Sequence, residues 1–346
     1  MLEIMLLGTA ASAPTIERGL PSQLVIYQDE RFLVDCGEGT QRQILRSGLG
    51  FRRLERILLT HGHLDHILGL GGLISTFARW EAVEHIEIYG GSWALARVSE
   101  LLFRVVLRGA NPPVPVQLTD IKPGWLLGNE TLAVYAFSVI HRGPGSYGYL
   151  FRERPRRPFL AEKAAALGVP AGPERSQLVN GQSITLADGR VIEPGEVLGP
   201  PRPGLSLALT GDTARIDNLV EVVRGVDLLV CEATYLERDA EMARRFGHLT
   251  AAQAAQLARE AGVRVLVLNH LSQRYPVREM LEESRAIFPA TLVSRDFDHY
   301  RITRDRVEVL NKDFSGADAD FKTLFPDLRN RACHSERSAP SSTRGA

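Results

Sequence analysis

Residues 58–70 read LLTHGHLDHILGL, and this stretch decides the fold. An apolar run, RILL at 56–59, ends in His61, His63, Asp65 and His66. Side chains alternate along a strand, so His61 and His63 leave its end on one side and can face one ion. Asp65 and His66 then address a neighbouring position. Neutral imidazole and carboxylate suit Zn²⁺ or Mn²⁺. The plainer reading, a solvated polar loop, must gather three of the chain's nine histidines by chance.

The rest of the chain supplies the frame. Its 346 residues are 44% hydrophobic, enough for a sizeable core, and 24% charged with no formal net charge. A nucleic-acid partner would therefore be held by a local patch rather than a global field. Cys36, Cys231 and Cys333 make no disulfide framework and fit a reducing compartment. The N-terminal residues lack the basic and long apolar regions of a signal peptide, and no stretch is long and apolar enough to span a membrane. The expectation is a soluble cytoplasmic protein.

Short apolar runs bounded by Gly, Asp and Pro read as strands: EIMLLG, SQLVIY, RFLVDCG, RILLTH, HIEIYG, LAVYAFSVI, SYGYLF, LSLALTGD, VDLLVCEA and VRVLVLNH. Helical patterns lie between several of them, among them residues 39–48, 67–80, 92–107, 216–225 and 250–262. This alternation predicts an α/β protein with two sheets. A Pro-, Gly- and charge-rich segment at about 151–204 reads as an inserted arm. The polar end, 313–346, reads as a disordered tail, leaving a single domain over 1–312.

Three further strand ends carry metal-binding side chains. His141 follows LAVYAFSVI, Asp212 follows LSLALTG, and His270 follows VRVLVLN. Asp212 suits a bridging role, because a carboxylate has two oxygens. Each is weak alone; together they point to a dinuclear centre. His85, His299 and His334 read as structural or solvated.

These residues resemble the signature of the metallo-β-lactamase superfamily, and within it the chain closely resembles ribonuclease Z, the tRNA 3′-processing endonucleases. The blocks that carry the likeness run in order over roughly residues 1–310: LLGTAASAPTIERG (6–19), LVDCGEGTQRQILRSG (33–48), SYGYLF (146–151), GVPAGP (168–173), ITLADGRVI (184–192), VLGPPRPG (197–204), LTGDT (209–213), CEATY (231–235), GHLTAAQAAQLA (247–258) and NHLSQRY (269–275). The resemblance implies a four-layer αββα metallo-β-lactamase fold with a protruding arm. It implies two Zn²⁺, with Mn²⁺ possible. His61, His63, His141 and Asp212 would hold one ion, and Asp65, His66, Asp212 and His270 the other. Asp65 would also act as general base. The sequence departs from the usual pattern in three places. Gly62 and Leu64 stand in the reverse of the usual Leu-Gly order, Leu249 replaces a Ser, and Gln273 replaces a second Ser.

His248 stands just ahead of a helix for which Thr250 is a candidate N-cap. Histidine titrates near neutrality and can supply a proton or a positive charge to a leaving ribose oxygen, while the helix start favours a phosphate. Glu232, ending the strand in CEATY, can orient His248, and the resemblance supports that pairing. The plain alternative makes His248 an ordinary residue at a helix start.

An RNA backbone requires positive charge. Arg152, Arg154, Arg156, Arg157, Lys163 and Arg175 in the arm are the candidates, against a merely solvated charge run. The resemblance implies an arm that grips tRNA through a Gly-Pro motif, here Gly172 and Pro173, and acts across a homodimer. Arg274 could touch the scissile phosphate or form a structural ion pair. The expected reaction removes the 3′ trailer of precursor tRNA, leaving a 3′-hydroxyl on the tRNA and a 5′-phosphate on the trailer. Two rivals remain: a hydrolase of small phosphodiesters or other esters on the same fold, and a non-catalytic RNA-binding module.

Overall fold

The computed structural model describes residues 1–80, 83–109, 112 and 114–310. All ten apolar runs form strands, and they sort into two mixed sheets. The first sheet has eight strands, in the order Val307–Val309, His299–Ile302, Leu2–Gly8, Ser22–Tyr27, Glu30–Val34, Arg56–Leu58, Ile86–Gly90 and Val116–Asp120. The second has seven: Thr291–Val293, Val265–Asn269, Leu228–Glu232, Ser206–Leu209, Tyr147–Glu153, Leu132–Ser138 and Gly124–Gly128.

The sheets pack face to face. Leu2, Ile4, Val25, Phe32 and Val34 of the first meet Val134, Tyr149, Phe151, Leu207 and Val267 of the second in one buried cluster. Phe32 and Phe151 lie edge to face with ring centroids 5.3 Å apart. Two other apolar clusters lie on the outer faces, under the helices: one beneath Thr40–Arg46, Leu70–Trp80 and Ser92–Ser99, the other beneath Ala251–Ala261 and Val277–Arg285. This is the expected four-layer αββα arrangement.

One element differs. Residues 216–225 form consecutive turns rather than a helix. Most of their backbone bonds close over three residues, as in Leu219 N–H to Ile216 O and Arg224 N–H to Glu221 O. This winding still buries Leu219 and Val223, so helix-like apolar spacing is met without a helix. Another departs in geometry: the helix Ser92–Ser99 continues through Glu100–Val106 as a wider π-type coil.

The arm begins after Tyr147–Glu153 and returns to Ser206–Leu209, which pairs antiparallel with that same strand. Its two chains form a stalk through pairings of Arg156 with Arg202 and Phe159 with Leu198. Beyond the stalk the arm has its own small core of Ala164, Val169, Leu178, Ile184, Ile192 and Val197. The expected tail, 313–346, lies outside the described residues, as does His334.

Phe151 fills the seam between the sheets, fully buried. Phe151→Ala is expected to remove about 3–5 kcal/mol of unfolding free energy, measured by urea denaturation. A loss no larger than that of a surface substitution would contradict the packing described.

Candidate metal centre

The candidate side chains converge at one edge of the sandwich, where strands of both sheets end. Arg56–Leu58 delivers the turn carrying His61, His63, Asp65 and His66. Leu132–Ser138, Ser206–Leu209 and Val265–Asn269 lead into His141, Asp212 and His270. His61, His66, Asp212 and His270 are buried, whereas His63, Asp65 and His141 are partly exposed.

One oxygen, Oδ2 of Asp212, organises the cluster. It lies 3.7 Å from His61 Nε2, 3.8 Å from His141 Nε2, 3.4 Å from His66 Nε2 and 3.3 Å from His270 Nε2. On one side, His63 Nδ1 approaches His61 Nε2 at 2.9 Å and His141 Nε2 at 3.2 Å. On the other, Asp65 Oδ2 lies 3.6 Å from both His66 Nε2 and His270 Nε2. The seven residues thus form two groups that meet at Asp212, each compact enough to hold a metal ion.

The outward nitrogens are already engaged. His66 Nδ1 is 2.8 Å from Asp35 Oδ2, His61 Nδ1 is 3.0 Å from Thr60 Oγ1, His270 Nδ1 is 2.9 Å from Thr234 Oγ1, and His141 Nδ1 donates to Gly247 O at 2.7 Å. Fixing Nδ1 in this way turns Nε2 inward and favours its lone pair there. His66 Nε2 and His270 Nε2 are buried with no hydrogen-bond partner among the described residues. Orphaned imidazole nitrogens around a shared carboxylate fit divalent cations and little else.

Proton affinities follow from this crowding. Burial and the neighbouring histidines push His61 well down, and His63, with His141 beside it, down to about 4. Both are free bases at neutral pH. Burial would lower His66 too, but Asp212 and Asp35 outweigh it and hold its pKa well up. A cation must displace that proton, so acid opposes metal binding. Asp65 and Asp212 would be raised by burial, yet the surrounding histidines keep both far below the usual carboxylate range.

His248 stands beside the centre. The helix Ala240–Phe246 ends at Gly247, and Thr250 caps the next helix by accepting from Gln253 N–H in a capping box. Between them His248 Nδ1 lies 3.0 and 3.1 Å from the two oxygens of Glu232. That carboxylate is fixed in turn by Thr213 N–H at 2.6 Å and Thr234 Oγ1 at 2.7 Å. Burial would lower the pKa of His248, but Glu232 prevails and raises it to about 9.

Several contacts were not foreseen in the sequence. Asp35, at φ +60°, accepts from Thr60 N–H and Thr60 Oγ1 as well as facing His66. Ser12 N–H donates to Asp65 Oδ2 at 3.1 Å. A strand-end carboxylate in LVDCG was the available signal for Asp35; the Ser12 contact, made by backbone, had none. Arg274 is exposed and hydrogen-bonds to the Met242 sulfur and within its own turn, with no carboxylate partner among the described residues.

The arm's charges divide between two parts. Arg154, Arg156 and Arg157 are in the stalk, where they bond to Asn129 O, Tyr27 Oη, and Gly199 O and Leu198 O. They brace the stalk at its root. Beyond it, residues 161–197 carry Lys163, Arg175 and Arg190 against Glu162, Glu174, Asp188, Glu193 and Glu196, so the far part is acidic on balance. Gly172 and Pro173 start the helix Pro173–Val179 in that far part.

With this geometry in view, relationships to known proteins can be placed. Residues 19–270 match the family model described as "Metallo-beta-lactamase superfamily", and the chain belongs to that superfamily. Within it the chain belongs to the ribonuclease Z family. It is 47% identical over 302 residues to Ribonuclease Z of Bradyrhizobium sp. (strain ORS 278), covering 87% of this chain and 100% of that protein. It is 39% identical over 299 residues to Ribonuclease Z of Methanosarcina acetivorans, covering 86% of this chain and 96% of that protein. Among solved structures, human tRNase Z, short form, superposes with a TM-score of 0.61 at 24% identity, over 87% of this chain and 99% of that one. A diphosphatase from the PhnP family gives 0.60 at 17%, over 88% and 98%. At such identities the superpositions speak for the fold.

Replacing the Glu232 charge should release His248. In the metal-free protein, Glu232→Gln should drop the His248 pKa from about 9, because burial is then no longer opposed by that carboxylate. Histidine NMR titration reads this, and an unmoved pKa would contradict the pairing.

Proposed function

We propose that this chain is a metal-dependent endoribonuclease that removes the 3′ trailer of precursor tRNA. The observation that carries this is the match to curated proteins named Ribonuclease Z at up to 47% identity, along their whole length in one case. The site's chemistry supports it. His61, His63 and His141 with Asp212 would hold one divalent ion, and Asp65, His66 and His270 with Asp212 the other; Zn²⁺ suits these ligands and Mn²⁺ is the alternative. Bound there, the cations supply charge to neutralise the phosphate and acidify water.

The remaining steps belong to the chain's own groups. Asp65, oriented by Ser12 N–H, accepts a proton from the attacking water. Water adds at phosphorus as the bond to the ribose 3′-oxygen breaks. His248, held by Glu232 at Nδ1, gives the proton from Nε2 to that oxygen. The products are a 3′-hydroxyl on the tRNA and a 5′-phosphate on the trailer. Arg274, with no carboxylate partner among the described residues, would pair with phosphate.

The arm, with Gly172 and Pro173 in its far part, would grip tRNA away from the cut, and stalk arginines 154, 156 and 157 would add charge at its root. Because the far part is not basic, we assign it shape and backbone contacts rather than charge. A homodimer would let each arm serve the other subunit. Exposed Leu45 and Val105 support an apolar interface, since the helices bearing them both contact Leu70–Trp80. No helix of the described residues is long and apolar enough to cross a membrane. Cys36 and Cys231 are buried and unpaired, in keeping with a cytoplasmic location.

Purified protein should cut a labelled precursor tRNA beside the discriminator base, and EDTA should abolish the cut. His248→Ala should lower kcat by about 10²–10⁴. A protein that holds two metal ions but leaves the precursor intact, while hydrolysing a small phosphodiester, would overturn the reading.

Arm and dimer are tested together by complementation. A variant with residues 158–198 replaced by a short linker should fail on tRNA yet cleave an activated small phosphodiester. Mixed with His248→Ala under subunit exchange, it should regain tRNA cleavage. No recovery in a verified mixed dimer would exclude an arm acting across subunits.

A further inference from the structure

Trp93 opens the helix Ser92–Ser99 beside the metal turn, and its indole is only partly exposed. Its ring stands edge to face with that of His63, centroids 5.5 Å apart at 89°. Two glycines lie flush against one edge of the indole. A Cβ at Gly62, between His61 and His63, would come 2.9 Å from its Cε3 and 3.0 Å from the Cα of Ala94, the next residue of the helix. A Cβ at Gly143, two residues after His141 and at φ +96°, would come 2.9 Å from its Cζ3. Real Cβ atoms do not approach so closely. Arg97, one turn along the helix, places its guanidinium 5.4 Å from the indole centroid and donates to Gly62 O at 2.8 Å.

We propose that Trp93 is a positioning residue for His63 and His141, acting with Arg97 as a lock on the metal turn. The indole supplies the bulk that a side chain at position 62 would otherwise supply, and it reaches both loops at once. His63 and His141, which approach to 3.2 Å, are thereby held by a wall that neither loop provides itself. This accounts for Gly62 where the family pattern usually has Leu: the space beside that backbone is taken by Trp93 and by the Ala94 backbone that carries on from it. The inference rests on the assignment of His63 and His141 as metal ligands.

The chemistry favours a lock over a chance surface contact. A ligand with one fixed nitrogen and a free ring edge can still rock. His63 presents Nδ1 to the cluster, so unlike the other four imidazoles it cannot have that nitrogen tied to an outer partner. Packing against its ring is what remains to hold it. Loosening such outer support around metal ligands commonly weakens metal affinity 10–100-fold.

The test is a two-site exchange in the full-length protein: Trp93→Gly, Gly62→Leu and the double variant, with Trp93→Phe as the conservative control. Zn²⁺ affinity is measured by chelator competition, and the unfolding midpoint of the metal-free protein is measured alongside. Trp93→Gly is expected to weaken Zn²⁺ binding about tenfold or more. Gly62→Leu is expected to weaken it comparably, because the new side chain collides with the indole. The double variant should recover the part of the loss that the indole causes, binding Zn²⁺ more tightly than the sum of the two single losses allows, and Trp93→Phe should stay near wild type. If Trp93→Gly unfolds, recovery of folding and Zn²⁺ affinity in the double variant decides in favour of the lock. The proposal is overturned if Trp93→Gly binds Zn²⁺ like wild type, or if the two losses simply add in the double variant. Wild-type cleavage of precursor tRNA is scored in parallel. Failure there would strike the substrate assignment, while the ratio of Zn²⁺ affinities still judges the lock.

Discussion

A single buried carboxylate sets the terms for this structure. Asp212 brings one oxygen within 3.8 Å of four imidazole nitrogens, with almost no water to share the charge. Taking an ion out of water is costly unless a partner compensates it. Seven candidate donors drawn from both sheets meet around it, a set that divalent cations would complete. Each lies just beyond a strand end, where the backbone is anchored by the core and the side chain is released into the cleft.

Around that carboxylate, the outer contacts do as much as the donors. Four imidazoles have their rear nitrogen fixed by Asp35, Thr60, Thr234 or the Gly247 carbonyl. Strain accompanies this. Asp35 and His270 both adopt left-handed φ values, +60° and +56°, which the packed strands before them must sustain. The pair Glu232 and His248 continues the same device one step outward: Glu232 reaches His248 and Thr234, and Thr234 reaches His270.

Much of this was legible in the sequence, and the omissions have a pattern. The ten expected strands are strongly apolar and central in their sheets. Besides a two-residue pair in the arm, Ile184–Thr185 and Val191–Ile192, five strands of the two main sheets went unseen: Val116–Asp120, Gly124–Gly128, Thr291–Val293, His299–Ile302 and Val307–Val309. Four of them are sheet edges and the fifth lies next to one. Edge strands are short and lack a neighbour on one side, so their apolar signal is weak. The seven converging donors could be named because strand-end histidines are rare. Trp93 could not, because its role depends on space left by glycines at 62 and 143, and the latter is fifty residues away in the chain. Composition likewise counted the arm's arginines without showing that three of them hydrogen-bond within the stalk and at its root.

The arm joins the body between two strands that are already antiparallel neighbours, Tyr147–Glu153 and Ser206–Leu209. Removing everything between them leaves an ordinary hairpin in the second sheet. The arm also carries its own apolar cluster. Such an insertion can lengthen, shrink or be exchanged without moving a single donor at the opposite ends of those strands. Arm and metal centre are thus separately heritable: descendants of this scaffold can remodel the one while keeping the other.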